Sequence, residues 1–264
     1  MKGAKCMTAY NYAAALITVT DMETTVLRHI YENWKELRFD KDNQTYYEAT
    51  FERNGKSYKV VTAQQNEMGM TAGAVLSMKL IEHFRPRYLI MPGIAAGVAL
   101  EHMEEQIYSD VVAADIIWNY SSGKFVSPDK ADIKFGELGF IPRPTVVKMK
   151  DEIKEYVLKA AQSEENQCHV YIGPMASGSA VIANSEILNK QIRSQFQHTA
   201  GLDMEAYAVA YAAENAIEPK PDAIIVKSVC DYADSRKSDK YQKFAAYTSS
   251  EFAKLLFEKF LPLD

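Results

Sequence analysis

Residues 223–234 read Ala-Ile-Ile-Val-Lys-Ser-Val-Cys-Asp-Tyr-Ala-Asp, and this stretch decides the fold. Its apolar start, 223–226, is too short for a buried helix and rich in β-branched residues, so it predicts a central strand that ends at Asp231. A carboxylate at the C-terminal end of such a strand lies where open α/β sheets place their ligands. We therefore expect an α/β protein with a functional site at this edge of its sheet.

A second stretch, 201–207, reads Gly-Leu-Asp-Met-Glu-Ala-Tyr and opens an alanine-rich helix predicted from Glu205 to about 217. The residues with the three-to-four residue spacing of a packed helix face are Ala206, Ala210, Ala213 and Ile217. An acid at the start of a buried helix is costly unless it is paired or used. Glu205 is therefore a candidate functional residue, with a structural ion pair to Lys227 as the alternative.

The chain has 264 residues and no Pro/Gly/Ser-rich linker, which predicts one domain over residues 1–264. Hydrophobic residues at 47% and charged residues at 25% are typical of a soluble globular protein. The net charge of −5 gives no support for nucleic-acid binding. Neither a cleavable leader nor a membrane span is evident, so we expect a cytoplasmic protein that does not bind membranes.

Cysteine and histidine usage bears on redox state and metals. The cysteines Cys6, Cys168 and Cys230 are odd in number and widely spaced, which predicts free thiols in a reducing compartment. No histidine lies near Cys230 in sequence to activate it, which favours packing over a nucleophilic role. None of the five histidines stands at ligand spacing from another metal-binding residue type. We expect neither a metal nor a cofactor.

Strand-like and helix-like segments alternate along the chain. Predicted strands are 14–19, 46–51, 57–63, 88–91, 108–117, 169–172 and 223–231, and predicted helices lie near 26–34, 70–84, 145–161, 185–196, 205–217 and 241–260. Asn54-Gly55 predicts a type I′ hairpin turn. Residues 92–97 are expected to form a turn, and 118–143 a long functional loop. The fold class predicted is α/β, a single-domain three-layer α/β/α sandwich with a mixed central sheet covered on both faces.

Individual positions follow from the helical spacing. The helix after the first strand is predicted to carry Trp34 on one face with its apolar neighbours. The last helix is predicted to bury Phe244, Phe252 and Leu256.

Four segments, taken in order, resemble the type I nucleoside phosphorylase and nucleosidase family. They are 22–23 (Met-Glu), 93–97 (Gly-Ile-Ala-Ala-Gly), 177–182 (Ser-Gly-Ser-Ala-Val-Ile), and 203–205 (Asp-Met-Glu) together with 228–234. Among its members the chain looks most like the methylthioadenosine/S-adenosylhomocysteine nucleosidases, whose sites carry a Met-Glu pair and a Ser-Asp-x-Ala-Asp signature. Cys230 replaces the serine of that signature. The resemblance spans nearly the whole chain and implies a nucleoside phosphorylase-like fold and a homodimer.

The resemblance also implies three catalytic carboxylates with separate roles. Asp231 is the general acid at N7 of the base, Glu205 binds the ribose 2′ and 3′ hydroxyls, and Glu23 is the general base that orients water. These roles suit a reaction that passes through a ribosyl cation and releases a purine anion unless it is protonated. The alternatives are that Asp231 caps a helix start and that Glu23 is an ordinary first-turn acid.

Further substrate contacts are expected around these acids. The substrate-binding residues predicted are Met204, Ile94, Ala95, Val181, Ile182, Asp203 and Ser228. Nucleosidases of this family place an aspartate and a base-stacking aromatic where this chain has Ser179 and Val181. We therefore expect base stacking from the long loop, through Trp118, Tyr120 or Phe125.

The positions of cationic residues indicate which nucleophile attacks and what binds the 5′ end of the substrate. Phosphate as nucleophile needs guanidinium or clustered backbone N–H groups, and residues 92–97 carry no cation, so water is predicted. The cations after the acid motif, Arg236, Lys237 and Lys240, resemble a tail of nucleosidase domains in antiviral and innate-immune systems and are expected to hold a 5′-phosphate. A solvated surface is the alternative for this cluster.

The function predicted is a purine nucleosidase that hydrolyses an adenine-type nucleoside or nucleotide to free base and a ribosyl product. Its partner would be that small molecule. Two alternatives stay open. One is a phosphate-dependent purine nucleoside phosphorylase, and the other is a non-catalytic regulator that binds purine nucleosides.

Overall fold

A mixed β-sheet forms the centre of the fold in the computed structural model, which describes residues 9–31, 33–98, 106–127 and 139–263. The strands are β1 (Tyr12–Thr18), β2 (Lys35–Leu37), β3 (Tyr46–Arg53), β4 (Lys56–Gln64), β5 (Pro86–Gly97), β6 (Val111–Asn119), β7 (Gly123–Val126), β8 (Gly139–Pro142), β9 (Val146–Lys148), β10 (Val170–Ser177), β11 (Gly201–Asp203) and β12 (Asp222–Asp231). The helices are α1 (Asp21–Ile30), α2 (Met70–Phe84), α3 (Asp151–Ala161), α4 (Ser185–Ile187), α5 (Ala206–Glu214) and α6 (Gln242–Leu255). π-helical turns, Leu188–Arg193 and Leu256–Phe260, extend α4 and α6.

Among the described residues the sheet has ten strands, ordered β11-β10-β6-β12-β5-β1-β4-β3-β2, with β9 paired to β6. β12 runs parallel to β5 and antiparallel to β6, so the sheet is mixed. β11 also pairs with β5, which closes β5, β12, β6, β10 and β11 into a ring. β7 and β8 form a separate hairpin.

Helices cover both faces of the sheet, which confirms the three-layer α/β/α architecture. On one face the core joins Leu80 of α2 and Val209 of α5 to Ile225 of β12. On the other face Phe252 of α6 packs with Val226 of β12. Because β12 is buried on both faces, its start is an uninterrupted apolar run, as the sequence predicted.

The hairpin formed by β3 and β4 is confirmed. Asn54 and Gly55 have φ values of 53° and 73°, the two positive angles that a type I′ turn requires. Its register pairs Arg53 with Lys56 across the turn. Local sequence was sufficient here because the turn residues alone determine the register.

Three segment predictions were wrong. Residues 92–97 are not a turn but continue β5, since their backbone groups pair with β12 from Val226 to Asp231. The helix predicted from 145 starts only at Asp151, after the short strand β9. Residues 118–143 are not one loop: β6 runs to Asn119 and the β7/β8 hairpin follows, while 128–138 lie outside the described residues.

Three side-chain predictions were also wrong. Ile217 lies beyond the end of α5 and is 86% exposed, and Phe244 faces outward from α6 with 61% exposure. Trp34 lies past the end of α1, where its indole N–H donates to the carbonyl of Arg28. Phe252 and Leu256 are buried as predicted.

No helix within the described ranges has both the length and the apolar character that crossing a bilayer requires. The same residues contain no cluster of three or more His, Cys, Asp or Glu arranged to bind a metal ion. Cys168 and Cys230 are free thiols, and Cys6 lies outside the described residues.

Candidate active site

A cavity of about 270 Å³ lies at the C-terminal ends of β1, β5 and β12. Its volume is close to the lower end of the roughly 300–1,000 Å³ typical of small-molecule pockets. The three carboxylates predicted as catalytic, Glu23, Glu205 and Asp231, all line it. Side chains 23, 205 and 231 therefore meet at one edge of the sheet, where open α/β folds bind ligands.

Glu23 connects the first helix to the central sheet. It is the third residue of α1 and closes a capping box with Thr20. Thr20 Oγ1 accepts from the Glu23 N–H, and Glu23 Oε2 accepts from the Thr20 N–H at 2.9 Å. Oε2 also accepts from the Val19 N–H, and Oε1 accepts from the Ile94 N–H, both at 2.9 Å. The side chain is 2% exposed. Glu23 is thus both a first-turn acid and part of the cavity wall.

Glu205 occupies the N-cap position of α5 and is 4% exposed. Its Oε1 accepts a hydrogen bond from the Gly69 N–H at 2.6 Å. Burial, and then repulsion from the Asp203 carboxylate, raise the pKa of Glu205 to about 7, against the opposing attraction of Lys227. A carboxyl with this pKa changes its charge near neutral pH.

Asp203 is the residue that caps α5. Its carboxylate oxygens accept from the Ala206 N–H at 3.0 and 3.2 Å, while Glu205 makes no cap bond of its own. Burial raises the pKa of Asp203, and the Lys227 ammonium, 3.9 Å from Oδ2, opposes that shift. Asp203 therefore adds a second acid beside Glu205 in the cavity.

Asp231 ends β12 with both oxygens engaged. Oδ1 accepts from the Ala233 N–H at 2.9 Å, and Oδ2 accepts from the Lys237 ammonium at 2.8 Å. The Cys230 thiol donates to Oδ2 at 3.4 Å. Burial, and then the Asp231 charge, raise the pKa of Cys230 well above its usual range, so this thiol is not an activated nucleophile.

Lys227 is a pocket residue that the sequence suggested only as a partner of Glu205. It is 1% exposed and lines the cavity among the acids. A Cβ on Gly93 would lie 2.9 Å from the Lys227 ammonium and closer still to Glu23 Oε1, so both groups converge on Gly93. The spacing in the sequence could have indicated this position. Lys227 lies two residues from both Ile225 and Val229, so it shares their buried face of a central strand.

Gly93 leaves the space in which these charges meet, and this predicts a large effect of Gly93→Ala. Its φ of +145° disfavours any side chain, and the added methyl would displace Glu23 or Lys227. We expect a loss of roughly 2–4 kcal/mol in the free energy of unfolding, measured by urea denaturation. Gly73→Ala in α2, where the methyl meets nothing nearer than 3.4 Å, is the control and should change stability little. Equal stability of the two variants would contradict this account.

Most of the predicted substrate-binding residues line the cavity. They are Ile94, Ala95, Val181, Ile182, Asp203 and Met204. Ser228 does not, because it lies on the same face of β12 as Val226, toward α6, where its hydroxyl has no hydrogen-bond partner among the described residues. Met68, which sequence reasoning did not select, lines the cavity and is 61% exposed.

The aromatic residues predicted to cover the base lie elsewhere. Trp118 is fully buried and stacks on Phe196, and the Tyr120 hydroxyl donates to the carbonyl of Ala180 at 2.8 Å. Phe125 contacts Phe140 in the β7/β8 hairpin. Within the described part of the chain, the apolar part of the cavity lining is aliphatic and thioether rather than aromatic.

Of the three predicted phosphate-binding cations, only Lys237 lines the cavity. The Arg236 guanidinium is bound to the Asp234 carboxylate at 2.7 and 2.9 Å and is largely exposed. The Lys240 ammonium lies 5.3 Å from the ring centroid of Tyr241. The predicted cluster therefore reduces to one pocket lysine and two surface cations.

Comparisons with known proteins place this geometry in context. A family model described as the phosphorylase superfamily matches residues 14–262. An uncharacterized protein, y4jS, of Sinorhizobium fredii is 27% identical over 88% of this chain and 58% of its own length. The ATP nucleosidase Cap17 of Escherichia coli is 24% identical over 78% of this chain and 42% of its own length. The chain thus spans about half the length of these curated relatives.

A solved structure shares the fold. The 5′-methylthioadenosine/S-adenosylhomocysteine nucleosidase of Neisseria meningitidis, in complex with methylthio-immucillin-A, aligns with a TM-score of 0.73 and 24% identity. The alignment covers 93% of this chain and 98% of that protein. The α/β sandwich described above is therefore the architecture of a solved nucleosidase.

Proposed function

The chain belongs to the phosphorylase superfamily, and from that premise we propose that it is a purine nucleosidase. It would hydrolyse the N-glycosidic bond of an adenine-type nucleoside or nucleotide, of the methylthioadenosine/S-adenosylhomocysteine or AMP/ATP kind. The convergence of Glu23, Glu205 and Asp231 on one nucleoside-sized cavity carries this proposal. Two similar proteins bear nucleosidase names, one for ATP and one for methylthioadenosine and S-adenosylhomocysteine.

The cavity's charge suits a reaction that develops positive charge on the sugar. Asp203 and Glu205, both buried, place negative charge in the cavity, and Glu205 would also accept hydrogen bonds from the ribose hydroxyls. As substrate binds, Asp231 takes up a proton from solvent. As the glycosidic bond then breaks, its electron pair goes to the purine and Asp231 gives that proton to N7. The base then leaves neutral, which lowers the barrier to cleavage.

Glu23 is placed to act on the attacking water. Its Oε2 accepts two backbone N–H groups, whereas Oε1 accepts, among the residues that the structure describes, the Ile94 N–H alone and has a lone pair for a water. The water adds to the anomeric carbon and passes its proton to Glu23, which later returns it to solvent. The Lys227 ammonium balances the charge of the surrounding acids.

The same charges favour hydrolysis over phosphorolysis. Four carboxylates, Glu23, Asp203, Glu205 and Asp231, line the cavity against two ammonium groups, Lys227 and Lys237. A phosphate dianion beside Glu23 would meet this excess of negative charge, whereas water would not. Lys227 supplies a single point charge there rather than the guanidinium fork that binds phosphate strongly.

We further propose that the protein is a cytoplasmic homodimer with the cavity near the subunit interface. Val75 of α2 and Tyr211 of α5 are each about half exposed on two helices packed side by side, and Met68 is exposed at the cavity. Apolar side chains grouped in this way are typical of association surfaces. A role in antiviral defence completes the proposal, and it is supported by the resemblance of the tail with Arg236, Lys237 and Lys240 to nucleosidase domains of antiviral systems.

A substrate panel tests the proposed reaction. Adenosine, methylthioadenosine, AMP and ATP are each incubated with the protein, with and without phosphate, and free adenine is measured by chromatography. We expect adenine release from at least one of them at an equal rate without phosphate, because water is the nucleophile. Strict dependence on phosphate would show a phosphorylase. No release, together with a raised melting temperature, would show a non-catalytic binding protein.

A further inference from the structure

We propose that Lys237 makes the enzyme selective for 5′-phosphorylated purine nucleosides by exchanging one anionic partner for another. In the structure its ammonium is bound to the Asp231 carboxylate. When a nucleotide binds, the ammonium moves to the 5′-phosphate. Asp231 is then released to interact with the purine base. This inference rests on the proposed function and adds to it the class of substrate and the residue that selects it.

Both oxygens of Asp231 have partners in the structure. Oδ1 accepts from the Ala233 N–H at 2.9 Å, a bond fixed by the backbone at the end of β12. Oδ2 accepts from Lys237 at 2.8 Å and from the Cys230 thiol at 3.4 Å. Oδ1 keeps a lone pair, but for Oδ2 to carry a proton to N7 of a purine it must first be released from the ammonium. Of the two partners of Oδ2, only Lys237 has a long, flexible side chain.

Lys237 lies between the cavity and solvent. Its side chain is 32% exposed, whereas that of Asp231 is 3% exposed, so the ion pair spans the mouth of the cavity. A turn holds its backbone: the Lys237 N–H donates to the Asp234 carbonyl at 3.2 Å, and the Arg236 N–H donates to the Asp234 carboxylate at 2.8 Å. The backbone of Lys237 is therefore held in place while its ammonium can move.

The geometry of a nucleotide brings its 5′-phosphate near N7 of the base. With the base in the anti conformation, the 5′ substituent lies on the C8 and N7 side of the purine. An ammonium next to the N7-binding acid is therefore within reach of the 5′-phosphate. Among the cations of the described residues that line the cavity, Lys227 is buried between Glu23, Asp203 and Glu205, so Lys237 is the one placed for a phosphate.

The charges of the cavity make the exchange selective for a phosphorylated substrate. The cavity's four carboxylates repel a phosphate unless a cation accompanies it, and Lys237 provides that cation at the mouth. An uncharged nucleoside offers no anion to draw the ammonium away, so Asp231 stays bound to Lys237 and turnover is slow. The phosphate of a nucleotide gains the Lys237 ammonium as its partner, and Asp231 is released to act as the acid. The exchange therefore favours the phosphorylated substrate both in binding and in turnover.

The test compares kcat/KM for AMP and adenosine in wild type, Lys237→Met and Lys240→Met. Methionine keeps the apolar stem without the charge, and Lys240 lies in the same segment but does not line the cavity. We expect wild type to prefer AMP by at least about tenfold, and Lys237→Met to lose most of that preference. Adenosine cleavage should be faster in Lys237→Met, because Asp231 is then released, and Lys240→Met should keep the wild-type ratio.

Several results would overturn the inference. They are a wild-type preference for adenosine, an unchanged ratio in Lys237→Met, or an equal loss with both substrates, which would show a merely structural role. Lys237→Arg keeps the charge and should retain the AMP preference. In the wild-type protein alone, added KCl should reduce the AMP preference, because salt screens the exchange. A protein that cleaves only uncharged nucleosides refutes this inference and leaves the proposed function intact, whereas a protein that cleaves no purine nucleoside or nucleotide refutes the proposed function.

Discussion

Asp231→Asn is expected to lower kcat for adenine release by about 10²–10⁴-fold, the range that a lost general acid produces. An amide can hydrogen-bond to N7 but cannot give it a proton, so the purine would have to leave as an anion. The dissociation constant for substrate should change much less, because proton transfer belongs to the transition state. Steady-state kinetics and equilibrium binding, measured on the best substrate of the panel, separate the two quantities.

Asp222→Asn is the matched control for this prediction. Asp222 lies at the opposite end of β12 and pairs with Lys150 at 2.5 Å, away from the cavity. The same substitution there should leave kcat within about twofold, as is usual for a surface ion pair. Equal losses of kcat and of affinity in Asp231→Asn would mean that the residue only positions substrate.

Glu205→Gln is expected to stabilise the protein at pH 8 while it lowers activity. Burial and Asp203 raise the pKa of Glu205 from 4.5 to about 7, so holding it ionised costs on the order of 3 kcal/mol. Glutamine removes that cost and can still accept the Gly69 N–H. The melting temperature should rise by several degrees, at roughly 2–4 °C per kcal/mol. Activity should fall by at least about 100-fold, because the negative charge beside the ribosyl cation is lost.

The stabilisation by Glu205→Gln must depend on pH. A raised folded-state pKa means that the folded protein binds more protons than the unfolded chain between about pH 4.5 and 7, so wild-type stability falls as pH rises through that window. The variant's advantage should therefore be complete above pH 7 and absent below about pH 4.5. Thermal melts at pH 4 and pH 8 measure it. Glu214→Gln, an exposed residue at the other end of α5, should show no such difference, and an equal gain at both pH values in Glu205→Gln would contradict the pKa argument.

Local sequence predicted the parts of the fold that local physics determines. Asn54 and Gly55 fixed a hairpin through their own backbone angles, and the β-branched run before Lys227 marked a strand buried on both faces. Asp231 was predicted at the cavity because its position at a strand end is local information. Glu205 was a candidate because an acid at the start of a buried helix is costly, and the family resemblance supplied its role. Glu23 needed the resemblance, since it alone also fits an ordinary first-turn acid.

Other features depend on neighbours distant in sequence. Gly93 to Gly97 look like a turn, but the partner strand β12 supplies hydrogen bonds that make them a strand. Trp118 was predicted to cover the base, yet Phe196, nearly 80 residues later, holds it in the core. Ser228 points to α6 rather than the cavity because side chains alternate along a strand, and the position of the cavity relative to that alternation emerges only on folding.

The capping box at the start of α1 has a practical consequence for inactive variants. Since Glu23 ties Val19, Thr20 and Ile94 together through three backbone N–H groups, altering it would loosen the scaffold along with the chemistry. A designer who wants a folded, substrate-trapping form for crystallography should leave position 23 untouched. Position 231 is the better choice, because the end of β12 is held by its strand neighbours whichever side chain stands there.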